Sequence, residues 1–239
     1  GVTQTVEGHL ASVYSGRGAA RLKLGDFESA VADFDRSMDL DPTGRSDQSI
    51  RTLTYRGMAL VGMGREDDAL KDITRAIEFE TAPEQLYIRA EMFSRKARYS
   101  DAIQDLARAI QMDASNPYYY QSRGSCLMKL GRQEDAVDDF SRAVRLQPDF
   151  VTALQSRGEA YAKADRHAEA IDDFSKVITL SPGFADAYSG RAKSLLRVGE
   201  IKSARTDMEA FETQFGESDP ELRRLLNEMS TESSSRNRR

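Results

Sequence analysis

The sequence predicts an all-α chain of six helix-turn-helix repeats closed by a C-terminal capping helix. Three observations carry this. First, six segments answer to one another (14–24, 53–63, 86–96, 120–130, 154–164 and 188–198), and the small residue within each recurs at Gly18, Gly57, Ala90, Gly124, Gly158 and Ala192, at spacings of 39, 33, 34, 34 and 34 residues. Second, apolar residues return every three or four positions. In the fifth repeat Leu154, Gly158 and Tyr161, then Ala170, Phe174 and Val177, lay one apolar stripe along each of two helices. Third, all six prolines (Pro42, Pro83, Pro117, Pro148, Pro182 and Pro220) fall where one helical pair gives way to the next element.

Each element has a local reason. Residues 1–10 form a lead-in that extends the first helix backwards, from about Thr5. Gly25, Gly64, Gly131 and Gly199 stand at the ends of first helices, where a left-handed terminating residue is most easily glycine. Gly158 and Ala170 are small enough to let the two helices of a pair approach at their crossing. Between the first two repeats about five extra residues fall in the polar stretch 43–49, which lengthens either the turn or a helix end. After the sixth repeat, Ser218 or Asp219 caps a helix opened by Pro220, with Leu222, Leu225, Leu226 and Met229 at helical spacing to cover the last pair. The capping helix spans 219–230. The remainder, 231–239, reads as a disordered polar tail; its Arg236, Arg238 and Arg239 are weak grounds for a nucleic-acid signal.

This pattern resembles the tetratricopeptide repeat family, whose unit has about 34 residues and places large, Gly/Ala, aromatic, Ala, aromatic, Ala and Pro in order. Aligned on it, the repeats run 11–44, 50–82, 83–116, 117–150, 151–184 and 185–218. The fifth matches best, through Leu154, Arg157, Gly158, Tyr161, Ala170, Phe174 and Pro182. No repeat has the family's tryptophan, and the sixth departs furthest, with Phe211 at a small position and Gly216 at the proline position. The resemblance implies a right-handed α-α superhelix, or solenoid, whose first helices line a concave surface. One pair cannot bury its faces alone, so stacking creates the core.

An arginine (Arg17, Arg56, Arg89, Arg123, Arg157, Arg191) recurs in every first helix, and an aspartate (Asp33, Asp72, Asp105, Asp139, Asp173, Asp207) in every second, always 16 residues later. A ligand contact would not need six copies. A structural pairing across the helix crossing, within a repeat or between neighbours, is expected, with the guanidinium fork satisfying a carboxylate.

Composition narrows the function. The 39 acids against 34 bases give a net charge of −5, which argues against binding nucleic acid or anionic membrane through bulk charge. No apolar run is long enough to span a bilayer and no basic-then-apolar leader opens the chain, so no membrane insertion, no secretion leader and a cytoplasmic setting are expected. Gly1, not methionine, comes first, as in a processed or partial chain. The single cysteine, Cys126, excludes an intrachain disulfide and a cysteine-cluster zinc site, and is expected to pack as a small apolar residue. His9 and His167 are the only histidines, and His167, in the polar run 165–170, is expected to face solvent. The adjacent acids Asp67 and Asp68, Asp138 and Asp139, and Asp172 and Asp173 point in different directions on a helix. With no phosphate-binding, zinc or calcium motif either, no enzyme, no metal and no cofactor are expected.

What the resemblance leaves is a groove. Its inner-face positions include Tyr55, Met58, Tyr87, Ile88, Glu91, Tyr118, Gln121, Ser122, Gln155 and Glu159, with Ser189 and Lys193 in the sixth repeat. Large residues concentrate in repeats two to four, where tyrosines serve either as anchors for a partner or as caps on the packing between repeats. The carboxylate clamp by which some family members hold acidic chaperone tails needs Lys and Asn, then Asn, then Lys and Arg. Ser15, Ala19, Tyr55, Glu84 and Ile88 stand there instead, so the chain is not expected to be that kind of heat-shock co-chaperone. The expected function is a protein-interaction scaffold or adaptor binding a peptide or helix of a partner protein in the groove. The other reading is an assembly or self-associating subunit that packs through its convex face or its ends.

Overall fold

A computed structural model describes residues 2–41, 46–216, 219–220 and 222–228. The chain divides into an N-terminal body, 1–114, and a C-terminal body, 115–239. The first holds α1 (Val2–Lys23), α2 (Phe27–Leu40), α3 (Asp47–Gly62), α4 (Glu66–Phe79), α5 (Pro83–Arg95) and α6 (Tyr99–Met112). The second holds α7 (Pro117–Lys129), α8 (Gln133–Leu146), α9 (Val151–Lys163), α10 (His167–Leu180), α11 (Ala185–Arg197), α12 (Ile201–Phe215) and a last helix, α13, over 222–228. Odd and even helices pair as hairpins, and each even helix packs on the next odd one within its body. The class is all-α, as expected. Helix α1 starts at Val2, earlier than the expected Thr5.

The hairpin core is built on a constant offset. Sixteen residues after each small crossing residue comes a large apolar one: Phe34, Ile73, Leu106, Phe140, Phe174 and Met208. A Cβ added at Gly18, Gly57 or Gly124 would lie 2.7 Å from the Phe34, Ile73 or Phe140 side chain. Opposite Leu106 and Met208 the small residue is alanine (Ala90, Ala192). A further invariant position lies on the second helices: Ala30, Ala69, Ala102, Ala136, Ala170 and Ala204, all fully buried. Gly25, Gly64, Gly131 and Gly199 have φ between 74° and 88°, as a left-handed stop requires, but Ala97 and Asp165 adopt φ 57° at the same point of repeats three and five.

The six arginines and aspartates pair within their own repeat. In each, Nε and Nη2 donate to the two carboxylate oxygens at 2.6–2.9 Å. All six aspartates are buried. The Arg17 side chain is 54% exposed, whereas the other five are 15–24% exposed. Among the described residues no repeat precedes Arg17 to cover it. The free Nη1 of three internal arginines reaches back one repeat, to Asp35 from Arg56, to Ser141 from Arg157 and to Ser175 from Arg191. Asp33 has a second partner, Arg21, at 2.7 Å. The hydrogen bond from Arg17 is the main force holding the Asp33 carboxyl below its ordinary range, against burial.

The irregular places resolve locally. Residues 42–45, and with them Pro42, Gly44 and the first three residues of the 43–49 insertion, lie outside the described residues. Of the insertion, 47–49 extend the start of α3, behind Ser46, whose hydroxyl accepts from the Ser49 N–H. Asp41 accepts from both the Ser46 and Ser49 hydroxyls. In the sixth repeat Phe211 is buried against Phe215, which also meets Tyr188, and Gly216 ends the helix at φ 67°. The capping helix is held by Asp219, which accepts from the Leu222 N–H, and buries Leu222 and Leu226 against Leu195 and Leu196. Ser218, Met229 and the tail 231–239 lie outside the described residues.

Three outcomes test this account. Arg157→Leu, which strands a buried Asp173, should cost about 3 kcal/mol in chemical denaturation, while Arg17→Leu should cost far less because Arg21 remains on Asp33. Gly124→Ala should cost about 1–3 kcal/mol by forcing Cβ into Phe140, and adding Phe140→Leu should cost less than the sum of the two single changes. A lowered carboxyl contributes stability above its unfolded value, near 3.9, and loses it as pH falls through the lower folded value. Thermal melts from pH 6 to 2.5 should therefore show a shallower acid limb in Asp33→Asn than in the wild type.

Candidate partner-binding face

Within each body the first helices of successive hairpins touch: α1 meets α3, α7 meets α9, and α9 meets α11. No second helix makes a comparable contact with another among the described residues. Each body is thus narrower on its first-helix side, and that side is its concave face. Polar bridges mark it in the N-terminal body, where Ser15 and Thr52 share a hydrogen bond of 2.9 Å and Gln85 donates to Thr54 at 3.2 Å.

The expected groove residues divide by accessibility. In the N-terminal body Tyr55 and Met58 are 36% and 39% exposed, one helical turn apart on α3, with the Tyr55 ring 6.3 Å from Phe34. Tyr87, Ile88 and Glu91 on α5 are half-buried. In the C-terminal body Tyr118 is half exposed and meets Phe150 edge-on at 5.0 Å, so it also caps the packing between repeats. Gln121 donates to Ser125, and the exposed Glu159 accepts from Gln155. Two expectations need correction. Ser122 and Gln155 are 7% and 6% exposed, closed off in a body whose first helices lie against one another, so neither offers a partner much surface.

The C-terminal body also contains a cavity of about 650 Å³, lined by α9 (Glu159, Ala162, Lys163), the start of α10 (His167, with Phe174 behind), α11 (Gly190, Lys193, Ser194, Leu196, Arg197) and Leu225 of α13. Its floor is apolar. At Gly190 the α11 backbone packs directly on the buried Phe174 ring: a Cβ there would sit 2.7 Å from it, so only glycine allows that approach. Three cations, Lys163, Lys193 and Arg197, face one acid, Glu159. Lys193 holds Asp219 at 3.1 Å. Burial works against ionising Asp219, but the Ser189 hydroxyl, the Leu222 amide and Lys193 together keep its carboxyl below the ordinary range.

His167 is a further correction. It is only 16% exposed, with Nε2 3.7 Å from the Asp165 carboxylate, because the start of α10 turns it into the cavity wall. Its Nδ1 and the Ser194 hydroxyl are buried without a hydrogen-bond partner. The sequence pattern did not bring Lys163, His167 and Arg197 together. The available signal was a basic residue at the last position of four successive first helices, Arg95, Lys129, Lys163 and Arg197, which also reads as plain compensation of the helix dipole. Among the described residues no group of acids, histidines and cysteines is placed to hold a metal ion, and no helix is long and apolar enough to cross a membrane.

Comparison with known proteins places this geometry. Two family models described as tetratricopeptide repeat match residues 11–43 and 122–183. A search of curated proteins gives no match. Among solved structures, a tetratricopeptide repeat protein from Parabacteroides merdae is 20% identical with a TM-score of 0.73, over 97% of this chain and 90% of that one. MamA is 23% identical with a TM-score of 0.64, over 75% of this chain and 96% of that one. YrrB, a TPR protein with an unusual peptide-binding site, is 18% identical with a TM-score of 0.64, over 74% of this chain and 90% of that one. These likenesses show the fold, and the two matching family models identify tetratricopeptide repeats in this chain.

Proposed function

We propose that this protein is an interaction scaffold that binds a peptide or helix of a partner protein against its first-helix faces, and that it works by binding rather than by catalysis. The observation that carries the reading is Tyr55 beside Met58. Two large side chains stand partly open on the concave face of the N-terminal body, one turn apart on α3. Tyrosine gives contact area with little rotamer entropy to lose and keeps a hydroxyl for a wet interface. Ile88 and Glu91 on the neighbouring α5 add an apolar and an acidic contact within the same body. The similar fold of YrrB, a protein with a peptide-binding site, agrees with this use. Tyr87, Tyr118 and Gln121 are the further anchors of the reading, each on a first helix.

Affinity capture from cell extract with quantitative mass spectrometry tests it. Tyr55→Glu/Met58→Glu should lose its captured partners, with affinity falling about thirtyfold, the value of one hot spot of about 2 kcal/mol. Glu78→Lys, an exposed change on the second helix α4, should retain them. Full retention by the double variant, with an unchanged melting curve, overturns the proposal.

A further inference from the structure

We infer that the cavity in the C-terminal body is a specificity pocket for an acidic peptide segment, taking one large apolar side chain of that segment while its flanking carboxylates meet the cationic rim. The inference rests on the scaffold reading and names the chemistry of the partner. At about 650 Å³ the cavity falls within the span of known ligand pockets, about 300–1,000 Å³. Its floor, the half-buried Ala162 and Leu225 with Phe174 and Leu196 buried in the wall, rewards an apolar group. Lys163 and Arg197 occupy the same position of two successive first helices, so positive charge lies along one side of that floor while Glu159 is the lone lining acid.

The two orphaned polar atoms decide between a peptide and a simple fatty chain. A buried polar atom without a partner costs about 1–3 kcal/mol, which a ligand recovers by supplying the partner. The Ser194 hydroxyl donates, and so suits a carbonyl oxygen. His167 Nδ1, when it carries no proton, accepts, and so suits an N–H. A peptide backbone brings both; a fatty acid has no N–H to give. The chain's own C-terminal residues do not fit, since 229–239 hold one acid, Glu232, against three arginines.

The test uses the full chain and an end-blocked, fluorescently labelled peptide, acetyl-Gly-Asp-Glu-Phe-Asp-Glu-Gly-amide, read by anisotropy. The peptide should bind, more weakly as salt rises. Binding should fall about tenfold or more, a change of about 1.4 kcal/mol, when the peptide's Phe becomes Ser and, separately, in Lys163→Glu/Arg197→Glu. Both protein changes are exposed, and circular dichroism should confirm an unaltered fold. Failure to bind at millimolar peptide, equal binding by the charge-reversed protein, or equal competition by dodecanoate overturns the inference. Since Tyr55 and Met58 lie in the other body, a failed peptide assay with a sensitive Tyr55/Met58 capture sinks only the pocket. The reverse result sinks only the α3 anchor.

Discussion

Everything in this chain depends on one offset. A first helix and its partner cross so that residue i meets residue i+16, and the sequence exploits that meeting twice in adjacent register. At one register a guanidinium fork closes on a carboxylate, as Arg157 does on Asp173. At the next, an absent or minimal side chain admits a large apolar one, as Gly158 does with Phe174. The first satisfies polar groups that the crossing would otherwise bury unpaired, and the second sets how closely the backbones approach. Neither tolerates a one-residue slip, which would bring the arginine to the aromatic ring and the glycine to solvent. The pairing therefore fixes the geometry of the hairpin more than it adds net stability, since a buried ion pair does little better than break even against its desolvation.

Coupling between repeats is a separate matter, carried by fewer groups. Arg56, Arg157 and Arg191 use a third donor to reach the preceding hairpin. In the N-terminal body, the serine, threonine and glutamine bridges between first helices do the same on the other side of the stack. Repeat arrays behave as nearest-neighbour chains, so such contacts set how far a local opening spreads. The capping helix ends the array by presenting an apolar inner face through Leu222 and Leu226 and leaving Arg223 and Arg224 outside.

Much of the fold was legible because repetition within the chain substitutes for comparison between chains. The Arg and Asp copies, the four glycine stops and the Asp219 cap all follow from local chemistry at fixed spacing. The buried alanine of every second helix, Ala30 through Ala204, was equally visible but is a common helix residue, so its constancy drew no notice. Ala97 and Asp165 in left-handed conformation could not be read, because propensity favours glycine there and only the tertiary hairpin imposes the turn. The recognition face was the least legible part. Whether Gln155 or Glu159 is open depends on the neighbouring first helix. The wall around His167 exists only because α10, α11 and the capping helix converge from positions up to about 60 residues apart. An exposed residue in a polar run and a buried one in the same run look alike in sequence.

The close contact at Gly190 has a thermodynamic meaning. Phe174 is at once the central ring of the fifth hairpin and the buried backing of the cavity lining, so the core and the cavity share one wall. Whatever fills that space adds contacts to a wall that the native state already immobilises and the unfolded chain does not. Occupancy and folding of the C-terminal body are then linked functions, and the ligand concentration becomes one of the variables that set how often the fifth hairpin opens.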